Sequence, residues 1–263
     1  ANCVDLTFVS PKFSADNEKD DFYTAMILAE TVLGEEVLDK WIGNVFTRAK
    51  RKSRLKTIMR VVRPQVVKHS KTNIVDLPKA VKKMVDQIKS TLPDKPLWQI
   101  DNQSFTIDTV ALDEHEDEEG KPPSRLTTVT IISALTKAVQ SRISFHSCAF
   151  SNFGEIFCYI KILDLESPLD HPAKYSEFEM YLDQKLREAK LGCATGSGVG
   201  LEAAFIDLML ADVPASIPIL RAAAKKFRLP DRSWLLFHDI YWRDEWVGMT
   251  EFTPLPIRDD GQW

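Results

Sequence analysis

The chain has 263 residues, with 34 Lys and Arg against 38 Asp and Glu, a formal net charge of −4, and 44% hydrophobic residues. This composition excludes wholesale disorder and the collagenous or low-complexity classes, and no apolar run reaches the roughly 18–20 residues that cross a bilayer. The length suits one large domain or two ordinary ones.

Residues 4–9 alternate and are β-branched enough for a strand. A helix is predicted over 20–33, where Phe22, Ala25, Met26, Ala29, Val32 and Leu33 recur at helical spacing and Asp20 and Asp21 suit the positive N-terminal end. Gly34, Glu35 and Glu36 break or redirect it. Val37, Leu38, Trp41 and Ile42 then form a short second apolar face ending at Gly43, and a strand follows over 56–62. Asp76 as N-cap and Pro78 in the first turn open a helix that buries Leu77, Val81, Met84, Val85, Ile88 and Leu92 and stops at Pro93. Residues 98–100 and 105–110 read as strands, so residues 1–112 form an N-terminal α/β module.

Residues 113–119 hold six acids and His115, and lead into Gly120-Lys121-Pro122-Pro123; residues 113–124 therefore read as an exposed acidic loop. Beyond it, 126–132 is β-like, with a helix over 131–139 as the alternative, and 143–150 and 156–163 read as strands with a turn at Phe153 and Gly154. A helix over 174–190 turns Phe178, Tyr181, Leu182, Leu186 and Ala189 inward and ends at Gly192. Residues 191–195 make a short strand, the glycines of 196–200 a turn and 203–210 a strand. A helix then ends at Phe227 ahead of Pro230, and 233–240 closes the module. The order β-α-β-β-α-β is that of a ferredoxin-like module. The expected fold class is thus α+β, with a ferredoxin-like C-terminal module in residues 125–263.

Val32-Leu33-Gly34-Glu35-Glu36, Trp41-Ile42-Gly43, Asp76-Leu77-Pro78, Gly196-Ser197-Gly198 and Ala204-Phe205-Ile206-Asp207 together resemble segments of bacterial proteins of unknown function built from two α/β modules. The resemblance implies no activity and assigns no role to any residue.

The chemistry-bearing residues are few. Cys3, Cys148, Cys158 and Cys193 show no CxxC spacing, which points to buried free thiols, a reduced cytoplasmic setting, and neither disulfide framework nor zinc site. Residues 1–11 lack the basic-then-apolar pattern of a signal peptide. His69, His115, His146, His171 and His238 lack metal-ligand spacing, so no metal and no cofactor is predicted. Gly196, Gly198 and Gly200 could cradle phosphate through backbone N–H groups. No Lys-Ser/Thr follows them, however, and a hairpin or bulge explains them equally. Cys193, His238 and Asp239 could supply nucleophile, base and orienter, although His238 more simply hydrogen-bonds locally. Glu35 and Glu36 point about 100° apart on a helix and suit its N-terminus better than acid–base work.

Trp234, Trp242 and Trp246, with Tyr241, suit an interface or ligand groove, or a segment clamped over the core. From Arg48 to Lys71 there are ten Lys or Arg and no acid. Arg48, Lys50, Arg51, Lys52 and Arg54 are expected to be exposed, as a solvated edge or an anion-binding surface. No aromatic residue lies between Ala49 and Val67 to stack on bases. The leading expectation is a non-enzymatic binding protein that regulates or neutralises a protein partner, with no catalytic residue and no membrane. The alternatives are a phosphate or small-ligand site at the glycines, and nucleic-acid binding through the basic stretch.

Overall fold

A computed structural model describes residues 2–49, 56–62, 68–100, 106–111, 125–130, 145–163, 172–200 and 203–256. It is a mixed helix-and-strand fold of two compact units, Ala1–Leu92 with Cys148–Asn152, and Pro93–Ser147 with Phe153–Trp263. Among the described residues, no helix is long and apolar enough to cross a membrane.

In the first unit, strand β1 (Cys3–Ser10) is followed by helices α1 (Glu18–Leu33) and α2 (Glu35–Trp41). Strands β2 (Ile42–Ala49), β3 (Lys56–Val62) and β4 (Lys68–Asn73) and helix α3 (Leu77–Lys89) complete it. The sheet order is β2-β1-β3-β4. β1 pairs parallel with β2 and antiparallel with β3, and β3 pairs antiparallel with β4. As a central strand, β1 buries nearly all its side chains, with Val4, Leu6 and Phe8 fully inaccessible. Gly34 joins α1 to α2 at φ 79, a left-handed value that glycine takes without a Cβ penalty. α3 buries Leu77, Val81, Met84, Val85 and Ile88.

Two expectations need correction here. β2 was hidden because Trp41 and Ile42 continue the helical spacing of α2 into what is a strand. β4 reads Lys-His-Ser-Lys-Thr-Asn and has no apolar alternation to betray it. Asp76 occupies the N-cap position of α3, but its side chain makes no capping hydrogen bond.

In the second unit the elements are β5 (Thr106–Ala111), β6 (Arg125–Thr130), β7 (Ile156–Leu163), helix α4 (Pro172–Ala189), β8 (Gly192–Val199), β9 (Ala203–Leu210), helix α5 (Val213–Lys226), β10 (Ser233–Phe237) and β11 (Trp246–Gly248). All neighbours in the order β11-β10-β7-β9-β8-β6-β5 are antiparallel. Alternate residues of β7 and β9, namely Cys158, Ile160 and Ile162 with Ala204, Ile206 and Leu208, form one core with Phe178, Leu182 and Leu186 of α4 and Leu220, Ala223 and Ala224 of α5. Both helices therefore cover the same face, and Tyr159 and Phe205 lie on the other. Asp212 caps α5, accepting from Ala215 N at 2.9 Å.

Several boundaries differ from expectation. β5 joins this second sheet rather than the N-terminal unit. Residues 97–99 form a 3-10 turn, not a strand, and so do Ser147–Ala149. α4 ends at Ala189, terminated by Lys190, which is left-handed at φ 59 while Leu191 N donates to Leu186 O, so Gly192 opens β8 rather than stopping the helix. Gly196 and Gly198 lie inside β8, hydrogen-bonded between β6 and β9, rather than in a turn. The acidic loop 113–124 lies outside the described residues.

Candidate functional site

β9 reads Ala-Ala-Phe-Ile-Asp-Leu-Met-Leu, and Asp207 is its lone charge. The period of two that sends Ile206 and Leu208 into the helix-covered core places Asp207 on the opposite face, with Phe205. Its cross-strand neighbour on β7 is Tyr159 and on β8 is Gly196. His238 follows β10 directly, and its backbone N donates to Phe157 O at 3.1 Å. Its ring thereby lies with Nε2 3.0 Å from Asp207 Oδ1, 4.6 Å centroid to centroid from Tyr159 and edge-on to Phe145. The two side chains keep 11% and 21% of their surface, so the pair is largely desolvated yet reachable. Burial first, and then the Asp207 charge, push the Tyr159 phenol well above its ordinary range. A carboxylate that orients an imidazole is the core of many acid–base devices, but a reacting group must also lie within hydrogen-bond reach.

The sequence-proposed trio does not assemble. Cys193 pairs with Met209, Met209 with Phe157, and Phe157 with the start of His238. Three strand spacings of about 4.8 Å put the thiol roughly 14 Å from the histidine. Cys193 is fully buried, and desolvation pushes its thiol up to about 12, so the reactive thiolate is scarce. Asp239 is committed elsewhere: Oδ2 accepts from Ser147 N at 2.7 Å and Oδ1 from Tyr241 N at 3.0 Å. His238 takes Asp207 as its carboxylate instead. A single charge in an apolar strand was the signal that could have found it.

Arg187 was also missed. Its Nε donates to Asp183 at 2.8 Å, and its Nη1 to Trp98 O at 2.6 Å, with Leu97 O and Ile100 O at 3.5 and 3.4 Å. Asp183 in turn accepts from Ala194 N at 2.9 Å. This is a clamp tying α4 to β8 and to the 97–100 turn, not a site open to ligand.

Of the aromatic candidates, Trp234 is buried and donates from Nε1 to Pro254 O at 2.6 Å, holding the C-terminal segment. Trp242 packs against Phe237, and Trp246, in β11 opposite Leu236, is half-buried. Glu36 pairs with Lys40 one helical turn on, at 2.8 Å. His146 is buried with its ring 5.3 Å from Tyr241, and His69 is a residue of β4. His115 and His171 lie outside the described residues. Among the described residues no group of three His, Cys, Asp or Glu side chains is placed to hold a metal ion.

The basic candidates divide. Arg48, near the end of β2, is exposed. Lys50, Arg51, Lys52 and Arg54 lie outside the described residues. Residues 40–75 contain eleven Lys or Arg and no Asp or Glu, and this span supplies three of the four strands of the first sheet. Lys71 of β4 and Lys79, Lys82, Lys83 and Lys89 of α3 are exposed. Lys82 pairs with Asp86 at 2.8 Å, and Lys89 sits over the Trp41 ring.

Comparison with protein families, characterised proteins and solved structures finds no match to this chain.

Proposed function

We propose that the chain is a non-enzymatic binding protein that engages a polyanionic partner through the cationic side of its first unit. One observation carries this reading. A 36-residue span without a single acid builds β2, β3 and β4; of its basic side chains, Arg48 and Lys71 are exposed, while Lys40 is half-buried and paired with Glu36. α3 adds Lys79 and Lys83 at i and i+4, one face of the helix. Like charges at this density are stabilised by an anionic partner, whose binding weakens as salt screens it. The second unit serves as scaffold. Its β10-β7-β9-β8 order, with α4 and α5 on one face, supports a ferredoxin-like module.

The test is binding of fluorescent polyglutamate and of duplex DNA by the full chain from about 0.05 to 0.5 M salt, a range over which the Debye length falls severalfold. Retention of at least one that declines with salt, and that drops about tenfold in the variant with Lys71, Lys79 and Lys83 changed to Gln, is expected. No retention at the lowest salt sinks the proposal.

A further inference from the structure

We infer that the outer face of α1 is a docking surface for a basic amphipathic helix of a partner protein. This goes beyond the polyanion-binding reading and does not rest on it, since it concerns a surface of opposite charge. Asp20, Tyr23, Ile27 and Glu30 recur at spacings of three, four and three, which places them in one stripe along the helix. Ala25 and Ala29, the buried residues of α1, stand about 200° round from Tyr23 and Ile27. The stripe therefore points away from the packed side. All four of its residues are exposed, Tyr23 at 55% and Ile27 at 63%. A helix with one buried side ordinarily carries polar residues on the other. α1 instead carries a second apolar pair there, framed by an acid at each end.

The charge around that pair selects what covers it. α1 and α2 together hold seven acids against Lys19 and Lys40, and Lys40 is paired with Glu36 at 2.8 Å. Among the described residues none of the other six acids forms an ion pair. Asp21 accepts from Ser14 N at 2.7 Å, and Glu18 and Asp20 sit in the first turn, where the helix dipole favours carboxylates. That account fails for Glu30. It lies in the last turn of α1, which holds no basic residue, at the negative end of the dipole. The isolated helix disfavours an acid there, and a cation from outside offsets this.

A basic helix laid along α1 covers Tyr23 and Ile27 with its own apolar stripe and brings Lys or Arg to Asp20 and Glu30. A helix fits because knobs-into-holes packing uses this same alternation of three and four. The stripe is about 15 Å long, at about 1.5 Å per residue, so about three turns of the partner helix span it. A second copy suits the face poorly. Two such faces packed antiparallel about a two-fold axis set Asp20 against Glu30, and packed parallel they set each acid against itself.

The probe is a fluorescent peptide of three heptads with Leu at a and d, Lys at e and g and Ala elsewhere, measured by anisotropy with the full chain at about 0.1 M salt. Two controls accompany it: the same peptide with Glu for Lys, and one of the same composition with its Leu residues scattered around the helix. The Leu–Lys peptide is expected to bind. Both control peptides, the double variant Tyr23→Gln with Ile27→Gln, and Glu30→Lys should each give at least tenfold weaker binding. Met180→Gln, which removes a comparably exposed apolar side chain from α4, should stay within about twofold. These changes place good helix formers at exposed helical positions, so circular dichroism and melting temperature should match the parent. Binding that survives the double variant, or a scattered peptide that binds as tightly as the patterned one, overturns the proposal by showing charge attraction alone. Absence of binding also overturns it, as does a dimer in sedimentation that Glu30→Lys dissolves, which would assign the face to a second copy.

Discussion

His238 Nε2 lies 3.0 Å from Asp207 Oδ1, although the two residues sit 31 positions apart and on strands separated by β7. The contact spans the β7 strand across the Tyr159 ring, which stacks under the imidazole. Both side chains are mostly shielded from solvent, so losing one strands the other's hydrogen-bonding capacity. His238→Ala and Asp207→Ala are each expected to destabilise the protein by about 1–3 kcal/mol, with a coupling energy near 1 kcal/mol in the double-mutant cycle. Urea unfolding of the four proteins measures it. Strict additivity would show that the two side chains stabilise the fold independently, with no energy in the contact between them.

Arg187 gives a sharper outcome. Its guanidinium satisfies Asp183 and carbonyl oxygens of the 97–100 turn at once. Arg187→Ala should cost about 2–4 kcal/mol, because Asp183 and the carbonyls lose a charged donor. Arg187→Lys should recover less than half, since an ammonium cannot present the planar fork. Equal stability of the Lys variant and the parent would show that charge alone matters there.

Gly192 holds φ 153, and a Cβ built there would collide with the Met209 carbonyl of the neighbouring strand. Gly192→Ala must therefore push β8 away from β9 and is expected to cost roughly 2–4 kcal/mol, the range of a backbone clash in a packed sheet. Gly154→Ala, at φ 72 with open space around its Cβ, should cost only about 1 kcal/mol. A thermal-melt ranking with Gly154→Ala as the more damaging change would contradict this geometry.

Legibility in the sequence followed the strength of the periodic signal. β3 fell over 56–62 as expected, because its short apolar run sits among basic residues, β9 because it is a nearly continuous apolar run, and α4 and α5 within a few residues because their apolar residues recur at helical spacing. β2 and β4 were not legible. One continues a helical spacing, and the other has no apolar residue and is defined by its hydrogen bonds to β3. Gly196 and Gly198 read as a turn because glycine is permissive, yet in β8 the ladders on both sides hold them extended. The candidate site was half legible. His238 was noticed, but its partner lies on a different strand, and only the register reveals that Asp207 rather than Asp239 faces it.

Glu179 of α4 links burial to pH. Desolvation raises its carboxyl above the usual range, the charges of Asp207 and Asp183 add to this, and a hydrogen bond with Ser197 opposes it. A carboxyl raised on folding adds stability that is complete below its unfolded value and is lost as pH rises through the folded one. At pH 7 the charged Glu179 is therefore a burden. Glu179→Gln is expected to stabilise the protein modestly at pH 7, with the gain vanishing near pH 4. A gain that persists unchanged at pH 4 would mean that packing, not charge, was responsible.

The buried thiols couple the stability of the fold to alkaline pH. Burial pushes Cys3 up to about 11 and Cys193 up to about 12, and Cys158 is raised as well. The unfolded thiols ionise near the ordinary value of 9.0, so above that pH the unfolded chain gives up protons that the folded chain retains. Stability is then complete below about pH 9 and falls as pH rises, by about 1.4 kcal/mol per pH unit for each such thiol until its folded value is passed. Cys193→Ala removes one of these contributions. It should be less stable than the parent at pH 7, by about 1 kcal/mol for the lost buried sulfur, yet lose stability less steeply between pH 9 and 11, so the two urea midpoints converge. The native parent should also react slowly with Ellman's reagent at pH 8 at Cys3, Cys158 and Cys193, because little thiolate forms there. Parallel stability curves for parent and variant across pH 9–11 would show that Cys193 ionises as readily folded as unfolded, and would remove it from the account.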